Sequence, residues 1–104
     1  MPIFKVVTSN AAENDLAEIV DYLASRFSYE IASRYYLEIK EKIASLAKMP
    51  ERCALVYDDE FRGKGYRWLF YKNYTVFFTV HNDKRIVVIR RVMYSGRDYT
   101  ALLE

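Results

Sequence analysis

Six basic residues, Arg62, Lys64, Arg67, Arg90, Arg91 and Arg97, fall in the C-terminal part of the chain, and Tyr94 stands among them. Arginine presents a planar fork that binds phosphate or carboxylate through two parallel hydrogen bonds, so an exposed face carrying several of them suits a nucleic acid or an acidic peptide. Salt bridges to acids elsewhere in the chain are the alternative use. Side chains alternate along a strand, so Ile86, Val88, Arg90 and Val92 are expected on one face, and Val87, Ile89, Arg91 and Met93 on the other. One of the adjacent arginines then belongs to the open face. The other is expected near the strand's end, its stem packed and its guanidinium paired with an acid of the helices.

Other reactive side chains carry less. His81 is the only histidine and lies beside Asn82 and Asp83, which reads as an exposed turn. Cys53, the single cysteine, lies among apolar residues with no histidine near it, and reads as a small buried side chain rather than a nucleophile. Asp58, Asp59 and Glu60 are consecutive, so they point in different directions and read as a solvated turn rather than a divalent-ion site. Glycine-rich phosphate loops, HExxH and Cys/His ligand sets are absent from the sequence, which leaves nucleotide hydrolysis and zinc catalysis without their equipment. No metal and no cofactor is expected.

The elements that must position the arginines follow from periodicity. Ile3 to Val7 reads as a short strand. Ser9 or Asn10 then caps a helix whose first turn is acidic, with Glu13 and Asp15. Leu16, Ile19, Val20, Leu23 and Phe27 form its apolar stripe, and Glu18 and Asp21 face water. A second stripe, Ala32, Tyr35, Tyr36, Ile39, Ile43 and Leu46, predicts a helix from Tyr29 to Lys48 that ends before Pro50 and packs on the first as a hairpin. From there the period changes to two. Tyr66–Tyr71, Tyr74–Val80 and Arg85–Met93 read as antiparallel strands, the last pair joined at His81 to Lys84. Between helices and sheet, DDEFRGKG (Asp58 to Gly65) reads as a polar loop outside any core.

The 104 residues form one domain, 1–104, because a chain of this size buries only roughly 60–70% of its unfolded surface in a single core. Apolar residues make up 52% and charged residues 29%, the composition of a globular chain rather than a disordered one. Residues 1–60 hold seven Lys/Arg and eleven Asp/Glu, and residues 61–104 hold nine and three. A cationic sheet on an acidic helical half suggests an anionic partner. The lone cysteine fits a reducing, cytoplasmic home, and the first residues read as a strand rather than a signal peptide or membrane span.

The segments ENDLAEIVDYLA, RYYLEIKEKIASLAKMPER, GYRWLFYKNYTVFFTV and VVIRRVMYSGRDYTALL, in this order, resemble the RelE/ParE superfamily of toxins from bacterial type II toxin–antitoxin modules. The resemblance covers nearly the whole chain. It implies an α+β fold, an N-terminal strand and helical hairpin packed on a twisted antiparallel sheet, with a C-terminal tail that contacts an antitoxin through Tyr94, Arg97, Leu102 and Leu103. DLAEI and RVMYSGRD resemble the ParE branch, which implies growth arrest by binding DNA gyrase, with Arg62, Lys64, Arg67 and Arg91 toward the target. RelE-type nucleases cleave ribosome-bound mRNA with an arginine where this chain has Thr75. If this chain cleaves mRNA, the charge would have to come from Arg67, Arg90 and Arg97, with Tyr94 stacking or moving a proton. A degenerate member that only binds its antitoxin is the third reading.

Overall fold

The computed structural model describes residues 2–103. Strand β1 (Lys5–Thr8) leads into helix α1 (Asn10–Arg26), and helix α2 (Tyr29–Ala44) returns antiparallel to it. Ser9 accepts the amide of Ala12 and Ser28 that of Ile31, so each helix starts where a hydroxyl satisfies an orphan donor, at about 1 kcal/mol per cap. A one-turn helix α3 (Asp59–Gly63) precedes strands β2 (Arg67–Tyr71), β3 (Tyr74–His81) and β4 (Ile86–Tyr94). The second helix is shorter than its stripe suggests. Its last turn tightens into a 3₁₀ turn at Ser45–Ala47, and Met49 turns left-handed at φ 48° before Pro50.

The sheet order is β1-β4-β3-β2. β2, β3 and β4 are antiparallel, whereas β1 runs parallel to β4. The helical hairpin covers one face. Leu16, Ile39, Ile43, Leu46, Tyr71, Tyr74, Val76, Phe78, Val87, Ile89 and Val92 make the main core there. Of the expected stripes, Phe27 is 64% exposed and Tyr36 37%: Phe27 is the C-cap beyond the last turn of α1, and Tyr36 lines the outer groove between the helices with Ala17, Val20 and Leu37.

Three expectations change. First, the alternation along β4 breaks: Phe77 pairs with Arg91 and the next residue, Phe78, with Ile89, so Arg90 is the extra residue of a β-bulge. The bulge flips the phase, and Val92 joins Val87 and Ile89 over the main core instead of sharing a face with Val88. Second, DDEFRGKG is not an excluded loop. Asp58 accepts the Phe61 amide as an N-cap, and Phe61 is 2% exposed, packed with Val56, Phe77, Met93 and Leu103 into a second core on the far face of the sheet. Third, His81 belongs to β3 rather than to the turn and is half-buried, with Nε2 2.9 Å from Thr79 Oγ1. The second core covers only the end of the far face where β2 starts and β4 finishes; the other end stays open.

Candidate functional site

The two adjacent arginines part at the bulge. Arg91 turns around the edge of β4, where β1 has already ended. Its Nε and Nη2 donate to the two carboxylate oxygens of Asp15 at 2.7 and 2.9 Å, and its Nη1 donates to the Leu102 carbonyl at 2.6 Å. Asp15 also accepts the Val92 amide at 2.9 Å, so one carboxylate seals an unpaired strand edge and fixes the arginine. The Asp15 hydrogen bond raises Arg91 above its ordinary value and outweighs the burial that pulls it down. The expected pair of an arginine and a helical acid is therefore Arg91 with Asp15 of α1. Arg90 stays on the open far face, with Nε donating to Thr79 Oγ1 at 3.1 Å.

The other basic residues are scattered. Arg67 lies at the start of β2, donating to the Cys53 carbonyl at 2.5 Å and approaching Glu51 at 3.8 Å; it fastens the linker that follows α2. Lys64 pairs with Glu60 at 3.1 Å and covers the Phe61 ring. Arg62 is exposed on α3. Arg97 is exposed in the turn after β4. Arg67 and Arg90 thus stand away from Tyr94 and Arg97, so the four residues assigned to a nuclease site do not converge on one point. Cys53 is half-buried, and burial pushes its thiol up against the pull of Arg52 and Arg67, the opposite of what a nucleophile needs.

Where the resemblance places a nuclease's arginine, Thr75 is 3% exposed and 2.8 Å from the Ser95 hydroxyl. It pairs with Phe70 and Met93 across the sheet. A neutral hydroxyl pair offers no positive charge to a phosphate.

One concavity stands out that sequence reasoning missed. Between α1 and the end of β4, a groove of about 430 Å³ is lined by Ile19, Tyr22, Tyr74, Val92, Tyr94 and Arg97, with Asp15 and Glu18 at its acidic rim. Tyr94 is 54% exposed and stacks edge-on against Tyr74 at 6.0 Å. Of the four residues expected to meet an antitoxin, Tyr94 and Arg97 line this groove. Leu103, by contrast, is buried in the second core, and Leu102 is partly buried against it. The missed signal was the helical spacing of Asp15, Glu18, Ile19 and Tyr22, which marks one side of α1 toward the sheet edge.

Behind the groove, Tyr35 meets Tyr71 and Tyr74 edge-on at 5.7 and 6.3 Å. The Tyr71 hydroxyl donates to Glu38, and Lys72 lies over the Tyr35 ring at 4.6 Å. Burial, then the bond to Glu38, then its charge push the Tyr71 phenol far up from its ordinary value. The fold therefore favours the neutral phenol. That contribution is complete below the unfolded value of about 10 and is lost above it, where only the unfolded chain releases the proton. In an ultraviolet phenolate titration to about pH 11, Tyr71→Phe is expected to leave the signal of the ten tyrosines unchanged. A drop of about a tenth would mean that Tyr71 ionises normally.

A sequence profile described as the ParE toxin of type II toxin–antitoxin system, parDE, matches residues 6–99. A search of curated proteins gave no match. Among solved structures, the chain is similar to one in a chromosomal ParDE system from P. aeruginosa, with a TM-score of 0.74 and 19% identity over 88% of this chain and 96% of that one. It is also similar to one in the toxin–antitoxin complex RelBE2 from Mycobacterium tuberculosis, with a TM-score of 0.67 and 17% identity over 88% and 98%. Among the described residues, no helix is long and apolar enough to cross a membrane.

Proposed function

The chain belongs to the ParE toxin family of type II toxin–antitoxin systems, and from that premise we propose that it arrests growth by binding DNA gyrase stoichiometrically, while its antitoxin occupies the groove between α1 and β4. The observation that carries the binding mechanism is Thr75, buried against Ser95. Losing one charge-stabilising contact to a transition state costs about 10²–10³ in rate; Arg67 is taken up by the Cys53 carbonyl, and Arg90 stands away from Tyr94 and Arg97. Inhibition by binding needs no such constellation.

The groove supports the antitoxin assignment. It is apolar along Ile19, Tyr22, Tyr74 and Val92, with Arg97 at one end and Asp15 and Glu18 along the rim. Tyrosines bury their rings while their hydroxyls find partners, which suits a surface that a folding segment covers. A small acidic protein, disordered in the segment that binds, is the expected partner, encoded beside this chain.

The test runs two assays in parallel. Purified protein added to a translating extract is expected to leave the message intact, while an equimolar amount slows gyrase supercoiling, and co-expressed antitoxin relieves both growth arrest and supercoiling inhibition. Discrete cuts in ribosome-bound mRNA, abolished by Tyr94→Phe, would reverse the mechanism. Inertness in both assays with a stable antitoxin complex would leave antitoxin binding as its role.

A further inference from the structure

The far face of the sheet divides in two. α3 and the C-terminal turn cover one end; among the described residues, no element covers the other. Lys5 and Val7 of β1 lie there, since Val6 packs toward the main core. Ile86, Val88 and Arg90 of β4 and His81 of β3 continue the same surface, with Thr79 buried beneath Arg90. The loop at its end adds Lys84 and Arg85, both exposed, and Arg85 is held left-handed at φ 54°.

Charge pairing is uneven across the molecule. Lys40, Lys64, Arg67, Lys72 and Arg91 each pair with a carboxylate. Among the described residues the other eleven cations pair with none, and four of these, Lys5, Lys84, Arg85 and Arg90, fall together at this end of the sheet. The nearest acids of this end are Asp83, exposed in the same loop, and Glu51, which receives the Asn82 amide. Arg90 is anchored by Nε alone. Thr79 Oγ1 takes that bond and also meets His81 Nε2, so the half-buried arginine is fixed through its Nε and, among the described residues, its Nη groups pair with no carboxylate.

We propose that this open half-face is a contact surface for the phosphate backbone of duplex nucleic acid, gripped by Lys5, Arg90 and the Lys84–Arg85 loop. Lys5 is level with Ile86 on the neighbouring strand, four residues from Arg90, so the cations span roughly 13 Å along the sheet. That is a row of fixed charges facing a row of phosphates. Among the described residues the half-face has no phenyl, phenol or indole ring, and its one imidazole, His81, is half-buried and held to Thr79, which argues against single strands. Its apolar members, Val7, Ile86 and Val88, are half-buried and branched; they provide no pocket for the anchors of an acidic peptide. Plain alternation from Ile86 and Val88 puts Arg90 on this surface; the bulge takes Arg91 out of line with Val87 and Ile89 and leaves Arg90 the cation of this half-face.

The proposal is independent of the gyrase reading, and its test contains no gyrase. Binding of the full chain to a fluorescent duplex of about 20 base pairs and arbitrary sequence is followed by anisotropy between about 50 and 200 mM KCl. Three phosphate contacts are expected to weaken binding about 40-fold over that range. Lys5→Gln and Arg90→Gln are each expected to flatten the salt slope by about one, uniformly across sequences. Arg34→Gln, an exposed cation of α2 on the opposite side of the sheet, should leave the slope unchanged. Among the described residues Lys5 bears no tertiary side-chain bond, so its variant remains informative if Arg90→Gln disturbs the strand. Absence of duplex binding at low salt, slopes indifferent to both variants, or capture of poly-glutamate in preference to duplex would each overturn the proposal.

Discussion

Replacing Arg91 with alanine is expected to destabilise the protein by about 3 kcal/mol, the low end of the cost of stripping a buried ion pair of one partner. Asp15 would keep the Val92 amide but lose both guanidinium bonds, and the Leu102 carbonyl would lose its donor. The pair is mostly shielded, with side chains 24% and 12% exposed, so water only partly replaces what is lost. For a domain of about 100 residues this corresponds to a fall in Tm of about 12 °C, read by circular dichroism. Arg91→Lys can restore one bond of the fork and should fall between. Arg90→Ala removes a single bond to a hydroxyl and should cost about 1 kcal/mol. Equal melting of the Arg90 and Arg91 variants would refute the assignment of the structural role to Arg91. A double-mutant cycle with Asp15→Ala isolates the coupling between the two residues.

Phe61→Ala is expected to cost about 3 kcal/mol or slightly more, from lost transfer energy plus the cavity left behind. Phe61 is the only buried residue of α3, and its ring packs edge-on against Tyr66 at 5.3 Å. Its loss should release α3 from the sheet, and with it the ordered placement of Arg62. Trp68 packs against this second core and meets Tyr99 at 5.6 Å, so its fluorescence should change in the folded state before global unfolding. Phe61→Leu, which fills most of the space, should recover much of the stability. If Phe61→Ala melts with the parent and leaves the Trp68 signal unmoved, the second core contributes nothing to the fold.

Local patterns in the chain determined much of this architecture. The stripes from Leu16 to Leu23 and from Ala32 to Leu46 set the helical hairpin, because an apolar face recurring every 3.6 residues has only one way to bury itself. The aromatic and β-branched runs after Gly65 set three antiparallel strands for a similar reason, at period two. Thr75 was legible as a missing charge only through the resemblance, which marks the place where the nuclease branch carries an arginine. The separation of one paired from one open arginine also followed from alternation, but which was which did not. That depended on the bulge at Arg90, and a bulge leaves no mark in the periodicity of its own strand; it exists only relative to the register of β3. Asp15 looked like a first-turn acid serving the helix dipole, and only the premature end of β1 beside β4 gave it an unpaired amide and an arginine to hold. Phe61 and Leu103 lie in polar or terminal segments with too few apolar neighbours in sequence to announce a core. They bury because the far face of the sheet, assembled from strands distant in sequence, presents Phe77 and Met93 to them. Contacts within a turn or a strand can be read from spacing, whereas these contacts required the sheet to close first.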